Sequence, residues 1–155
     1  MNKNSQQERF SKMNLINKTT QGYQLRDVVA EFTATSAIDV GHYFQDRIGR
    51  QLQEHFVVLS LNAALEVISA DTIAIGQITG VHVTPRDIFQ IALLNNAASI
   101  MVGHNHPSGR IQPSLSDDNT TQELKKLSDV MQLPLHDHFV VSAHSYYSYA
   151  EHQKL

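Results

Sequence analysis

The sequence predicts a single α/β domain in which a mixed sheet is packed with helices, over residues 30–155. The chain has 155 residues, a length that one hydrophobic core ordinarily covers. Runs of apolar residues that are typical of buried strands alternate with segments in which apolar residues recur every three or four positions. No apolar run approaches the roughly 18 residues that a membrane span needs, so a membrane protein is not expected.

The first 29 residues are predicted to form a basic, mobile arm. Residues 1–20 are rich in Asn, Gln, Ser and Lys and have no sustained apolar period. Residues 1–26 contain five Lys or Arg and one Glu, a balance of +4, which leaves −7 for the rest of a chain of net charge −3. We therefore expect nucleic acid to contact the arm only weakly, and the domain not at all. No export signal is evident, which predicts a cytoplasmic location.

Cysteine is absent from the sequence, whereas histidine is abundant. The absence of cysteine excludes a disulfide framework, a thiolate zinc site and a cysteine nucleophile. Any metal ion must then be held by His, Asp or Glu, and the chain offers nine His for that purpose.

The first elements of the domain are a predicted helix and a predicted buried strand. A helix is expected over residues 36–51, because Ser36 and Asp39 form a capping pair and apolar residues recur every fourth position. The run His55–Leu61 is apolar at both alternations, as in a strand covered on both faces.

Two further strands and a second helix are predicted next. The strands are expected within Leu65–Ile75 and around Gly80–Val83. The helix should begin after Thr84 and end near Asn96. Its start carries an N-cap, a first-turn proline and a third-position acid, which are Thr84, Pro85 and Asp87.

The last elements are a buried strand, a helix and two closing strands. The strand is predicted over Ala98–Gly103. The helix should run from a cap at Ser116 to about Gln132, with Asp117 and Asp118 in its first turn. Its inward side chains are expected to be Leu124, Leu127 and Met131. The closing strands are predicted over His136–Ser142 and Tyr146–Ala150.

The chemistry is predicted at the end of the Ala98–Gly103 strand. His104 and His106 are two apart, so a continuing strand would point both side chains to one face. Ten residues then separate His106 from Asp117, in a loop with two Pro and one Gly that permits a sharp reversal. Two imidazoles, one carboxylate and an open position form a catalytic zinc set. We therefore predict one zinc ion per chain on these three residues.

Hydrolysis at such a site also needs a proton acceptor and a donor toward a developing oxyanion. Ser114 lies three residues before Asp117, so it is a candidate for the donor. Glu54 is the candidate acceptor. Sequence spacing does not bring Glu54 to the site, because fifty residues separate it from His104; its strand must lie beside the strand that ends at His104.

Each candidate also has a structural interpretation. His104 and His106 could be satisfied polar residues, Asp117 a helix-start acid, Ser114 a turn residue and Glu54 a solvated charge. Their combination favours a site. For Asp137 and His138, a structural hydrogen bond at the sheet edge is favoured over metal ligation. The remaining histidines are interpreted as core or surface residues: His42, His55, His82, His136, His144 and His152.

These residues together resemble a known family. The stretch HNHPSG from His104 to Gly109, followed by Ser114 and Asp117, resembles the JAMM pattern of the JAB/MPN metalloproteases, and its wording is similar to the bacterial RadC branch. The resemblance also covers the strand after Glu54, the segment VTPRDIF, and the closing segments HDHFVV and YYSYA. It extends over residues 30–151.

The resemblance implies zinc on His104, His106 and Asp117, with Glu54 as acid/base and Ser114 supporting the oxyanion. It implies the JAB/MPN fold, a curved, cytidine-deaminase-like mixed sheet packed with helices. It also implies a metallopeptidase or isopeptidase acting on a peptide or protein. RadC proteins carry an additional N-terminal region that resembles a helix-hairpin-helix, which this sequence lacks, so any contact with nucleic acid is expected to be weak or indirect.

Two other functions stay open at this point. A metal-dependent nuclease or phosphoesterase could also use a His-x-His pair followed by Asp, but it usually needs further ligands for a second ion. A non-catalytic accessory module in DNA repair or mobile-element biology could keep zinc for structure alone. The presence of Glu54 and Ser114 argues against that module, because a structural site needs neither.

Overall fold

The computed structural model describes residues 32–76 and 83–155, together with the backbone of two strands at 12–19 and 22–29. The described part is a mixed α/β fold. Its elements, in chain order, are β1 (Lys12–Thr19), β2 (Gly22–Val29), α1 (Ala37–Ile48), β3 (His55–Leu61), β4 (Val67–Ile75), α2 (Pro85–Leu94), β5 (Ser99–Asn105), α3 (Leu115–Met131), β6 (Leu135–Val141) and β7 (Tyr146–Ser148).

Five strands form the main sheet, in the order β4-β3-β5-β6-β7. β3 is antiparallel to both of its neighbours, β5 and β6 are parallel, and β7 is antiparallel to β6. The sheet is therefore mixed, as the sequence predicts. β3 and β5 lie side by side with Phe56 opposite His104, so the residue before β3 lies close to the end of β5.

Two hydrophobic clusters cover the two faces of this sheet. α1 packs its apolar stripe on one face, over β5, β6 and β7, in a cluster that also contains Val57, Leu59 and Leu61 of β3. α2 and α3 cover the other face, which includes Phe56 and Val58 of the same strand. Alternate residues of β3 thus belong to the two hydrophobic clusters, which confirms the prediction of a strand buried on both faces.

Gly103 allows α1 to approach β5 closely. A Cβ atom at this position would lie 2.6 Å from the ring of Phe44. The ring of Phe44 itself lies 5.5 Å from that of Phe139, centroid to centroid. Any side chain at position 103 would push α1 away from the strand that carries His104.

Several details of the predicted elements are corrected by the structure. Ser36 precedes α1 but makes no side-chain cap hydrogen bond. α3 begins after Ser114, not after Ser116, and Met131 is 44% exposed at its end instead of facing the core. The strand predicted around Gly80–Val83 falls largely outside the described residues.

The N-terminal segment, for which the sequence predicts a basic, mobile arm, contains a hairpin. β1 and β2 pair antiparallel, with Lys12 opposite Val29 and Thr19 opposite Gly22. Although the segment is mostly polar, both of its halves contain apolar residues, among them Leu15 and Leu25. Such residues favour strands. The mobility of the segment stays a prediction. Within the described residues, no helix is both long and apolar enough to cross a membrane.

Candidate metal centre

Two imidazoles and a carboxylate converge where β5 ends. His104 is 1% exposed and is the penultimate residue of the strand. Its Nε2 atom lies 3.1 Å from Nε2 of His106. The carboxylate of Asp117 approaches both rings, with Oδ1 3.2 Å from Nε2 of His104 and Oδ2 3.5 Å from Nε2 of His106. The structure therefore brings together the three residues for which the sequence predicts zinc ligation.

A capping box at the start of α3 holds Asp117 in place. Ser114 Oγ accepts a hydrogen bond from the backbone N–H of Asp117, and Asp117 Oδ2 accepts from the backbone N–H of Ser114. The Ser114 hydroxyl also donates to Asp117 Oδ2, at 2.7 Å. The hydroxyl hydrogen of Ser114 is thus already donated to Asp117 within the capping box. Support of an oxyanion by Ser114 stays a prediction, while its contacts here make it the orienting partner of Asp117.

Replacing Ser114 with Ala should lower the free energy of unfolding by about 0.5–2 kcal/mol, because the first turn of α3 loses its cap. Ser116→Ala is the matched control. Ser116 is exposed and does not cap the helix, so its removal should change stability by less than about 0.5 kcal/mol. Chemical denaturation of both variants measures the difference. Equal losses would show that the capping box does not stabilise the helix.

Glu54 lies beside the two histidines. One carboxylate oxygen of Glu54 and one ring nitrogen each of His104 and His106 all lie within 4.8 Å of one another, a group that could hold a metal ion. Among the described residues, no ion pair involves Glu54. It lines a cleft of about 210 Å³. The other lining residues are Phe56, Val83, His104, Ser116, Asp117, Thr120, Glu123 and His138.

Asn105 fixes the loop that carries Glu54. It is fully buried, and its Oδ1 accepts from the backbone N–H of His55 at 2.7 Å. Its Nδ2 donates to the backbone carbonyls of Gln51 and Gln53, at 3.2 and 3.0 Å. These contacts span about fifty residues of sequence and lie on both sides of Glu54. The side chain between the two histidines therefore connects the metal centre to the candidate proton acceptor.

We expect Asn105→Ala to lower the free energy of unfolding by about 1–3 kcal/mol, because three backbone groups lose a buried partner. Asn119→Ala removes an exposed amide from α3 and should be nearly neutral. Thermal and urea unfolding of the two variants provide the comparison. If the two variants are equally stable, the Asn105 bonds do not hold the loop.

Hydrogen bonds and burial shift the protonation of the centre. Burial alone would raise the pKa of Asp117, but the rings of His104 and His106, which donate hydrogen bonds to it when their Nε2 atoms are protonated, outweigh burial and hold that pKa well below its ordinary value. The hydrogen bond to Asp117 raises the pKa of His106 despite its partial burial. Burial lowers the pKa of His138 well below its ordinary value. Asp117 is therefore ionised, and His138 neutral, near neutral pH.

His138 has a place at the centre that the sequence did not indicate. The sequence favours a structural hydrogen bond for the pair Asp137 and His138. Asp137 does accept bonds from the backbone N–H groups of His138 and Ala150 and from the Ser148 hydroxyl. His138, however, is fully buried, with Nε2 2.9 Å from Nδ1 of His104. The signal in the sequence is a histidine that directly precedes three apolar strand residues, 139–141.

The donor set fits a tetrahedral metal ion. Bonds of about 2.0–2.1 Å to nitrogen and oxygen place neighbouring tetrahedral ligands about 3.3–3.4 Å apart. Nε2 of His104 lies 3.1 Å from Nε2 of His106 and 3.2 Å from Asp117 Oδ1, while the other Asp117 oxygen, Oδ2, lies 3.5 Å from Nε2 of His106. These separations are close to the distance between tetrahedral ligands. His106 Nδ1 lies 2.7 Å from the carbonyl oxygen of Arg110. A carbonyl only accepts, so this nitrogen carries the hydrogen and Nε2 of the neutral ring has a free lone pair.

The fold and this cluster define an α/β domain with a candidate metal centre at the end of a central strand. The profile of the RadC-like JAB domain family matches residues 34–155. The chain belongs to that family, as the resemblance of its motifs implies, and the mixed sheet with three helices agrees with a JAB/MPN-like fold.

Curated relatives support the same assignment. A UPF0758 protein of Chlorobaculum parvum is 40% identical over 119 residues, which are 77% of this chain and 54% of that protein. A UPF0758 protein of Histophilus somni is 33% identical over 142 residues, covering 92% of this chain and 64% of its own length. A UPF0758 protein of Xylella fastidiosa is 42% identical over 115 residues, which are 74% of this chain and 51% of that protein. The chain thus spans between half and two thirds of these relatives.

Proposed function

We propose that this chain is a zinc-dependent hydrolase that cleaves amide bonds in peptide or protein substrates, with His104, His106 and Asp117 as metal ligands. The observation that carries the proposal is the convergence of these three side chains, whose facing nitrogen and oxygen atoms lie 3.1–3.5 Å apart, with the Glu54 carboxylate beside the two histidines. A zinc ion held there would polarise the substrate carbonyl and make water more acidic.

In this proposal Glu54 moves the proton. Its carboxylate takes a proton from the attacking water and returns it to the leaving nitrogen of the amide. The Asn105 bonds hold Glu54 beside the cleft, while the capping box of Ser114 orients Asp117. Phe56 and Val83 give the cleft an apolar wall against which a substrate chain would pack.

The charge of the cleft favours an amide over a phosphodiester. Its charged lining residues other than histidine are all acidic, namely Glu54, Asp117 and Glu123. Described lining residues include no Lys or Arg, and such a surface would repel a phosphate backbone. In the described part of the chain, Glu54, His104 and His106 are the one group of three His, Asp or Glu side chains that could hold a metal ion, whereas a two-metal nuclease needs ligands for a second ion. The Glu54 carboxylate also favours an enzyme over a metal site kept for structure alone.

Metal analysis and substrate screening test the proposal together. Purified protein should contain about one zinc ion per chain. It should cleave members of a peptide library, lose this activity with a chelator and regain it on addition of zinc. Duplex DNA should bind only weakly, through the basic residues of the arm, and with a steep salt dependence. Chelator-sensitive cleavage of DNA without peptide cleavage would replace the peptidase by a nuclease.

A further inference from the structure

We propose that Thr121 and His138 are positioning residues that lock His104 in the tautomer whose Nε2 lone pair faces the metal centre. The inference rests on the proposed metal binding by His104. It concerns a chain of three hydrogen bonds that begins at the backbone carbonyl of Asp117 and ends at Nδ1 of His104. Each bond in this relay fixes the direction of the next.

The direction is set at Thr121, because a hydroxyl has one hydrogen. Thr121 Oγ1 lies 2.7 Å from the carbonyl oxygen of Asp117, which can only accept. The hydrogen therefore belongs to this bond. Thr121 Oγ1 also lies 2.7 Å from Nδ1 of His138, so there it must accept, and the hydrogen of the second bond is on Nδ1 of His138.

The same reasoning gives the position of the hydrogen on His104, the proposed metal ligand. A neutral His138 with a hydrogen on Nδ1 has a bare Nε2, which accepts from Nδ1 of His104 at 2.9 Å. Nε2 of a neutral His104 then carries no hydrogen. The reverse direction would leave the oxygens of Thr121 and of the Asp117 carbonyl 2.7 Å apart with no hydrogen between them.

Burial protects the relay from water. His138 and Thr121 are both buried, at 0% and 1% exposure. The ring of Tyr149 stacks on His138 with centroids 5.1 Å apart, and that of Phe56 stacks on His104 at 5.9 Å. Competing hydrogen bonds from solvent are excluded from the interior of the relay.

The relay also connects two of the proposed ligands that lie on different elements. His104 is on β5, His138 on β6 and Thr121 on α3, one turn after Asp117. Partners of this kind fix the orientation of a ligand imidazole and raise its basicity. The relay therefore sets both the lone pair of His104 and its position relative to the helix that carries Asp117.

Nitrogen NMR of the imidazoles tests the tautomers directly. In zinc-loaded protein we expect His104 and His138 each to carry a slowly exchanging hydrogen on Nδ1, with assignments made by comparison with single-histidine variants. A hydrogen on Nε2 of His138 would overturn the relay. The same spectrum of metal-free protein also shows the tautomer of His138, so the relay can be tested whether or not the wild type binds zinc. Absence of zinc binding by the wild type would contradict the proposed function but not the relay.

Zinc affinity of three variants gives the second test. Thr121→Val removes the hydroxyl and should weaken zinc binding about 10–100-fold in a chelator competition. Thr121→Ser keeps the hydroxyl and should retain most of the affinity. Ser128→Ala is the matched control, because Ser128 is also buried in α3 and donates to a carbonyl of its own helix, that of Lys125. A Thr121→Val variant that unfolds like Ser128→Ala but binds zinc as tightly as wild type would refute the inference.

Discussion

Replacing Glu54 with Gln should leave the metal bound and lower peptide hydrolysis at least about 100-fold, the smaller end of the usual contribution of a general base. The amide has nearly the size of the carboxylate but cannot accept the proton of the attacking water. The Asn105 hydrogen bonds involve backbone groups of Gln51, Gln53 and His55, so the substitution leaves them in place. The rate with the library peptide and the zinc content of the same preparation are both measured.

Glu151→Gln provides the control for this substitution. Glu151 is exposed in the turn that follows β7 and is not among the residues that line the cleft. It should keep wild-type rate and zinc content. Full turnover by Glu54→Gln would remove Glu54 from the mechanism. A Glu54→Gln protein that is folded but free of zinc would instead make Glu54 a metal ligand.

The strands next to the centre could be predicted closely from the sequence. β3 has the predicted bounds His55–Leu61, and β5 differs from its prediction mainly because it continues through His104. Both strands are buried on both faces, and each contains an unbroken apolar run, at residues 56–59 and 100–102, which makes the pattern clear. The His104 and His106 pair could be placed on one face for the same reason, since only the alternation of a strand is needed.

The sequence contains the signal for the cap of α3 at Ser114, although the predicted cap is Ser116. Ser114 and Ser116 both precede the helix. Only Ser114 has an acid three residues later, Asp117, while Ser116 has Asn119. A capping box needs that acid to accept from the N-cap backbone. The acid that closes the box is also the proposed metal ligand, so the start of the helix and the geometry of the centre depend on each other.

The contacts of Glu54 and His138 could not be predicted from sequence patterns. Glu54 reaches the centre because β3 is the antiparallel neighbour of β5, and His138 because β6 is its parallel neighbour. Local periodicity specifies which face a residue occupies but not which strand lies alongside. Sheet order depends on long-range packing, and in this protein it decides which polar side chains meet at His104.

Replacing both His104 and His106 with Ala should abolish stoichiometric zinc binding. The carboxylates of Asp117 and Glu54 would remain, and these two without a nitrogen ligand do not make a tetrahedral zinc site. The variant should still fold. The two hydrophobic clusters on either face of the sheet contain neither histidine, which differs from small domains that fold only around their metal. His138 would lose the partner of its buried Nε2, which should cost about 1–3 kcal/mol of stability.

Elemental analysis and circular dichroism measure these two effects in the same sample. The matched control is the double variant His136→Ala with His144→Ala, since both side chains are exposed and lie outside the cluster that could hold a metal. This control should keep about one zinc ion per chain and unfold like the wild type. Undiminished zinc in the His104 and His106 variant would place the metal elsewhere in the protein. Loss of all regular structure in that variant would mean that the two hydrophobic clusters do not sustain the fold without the centre.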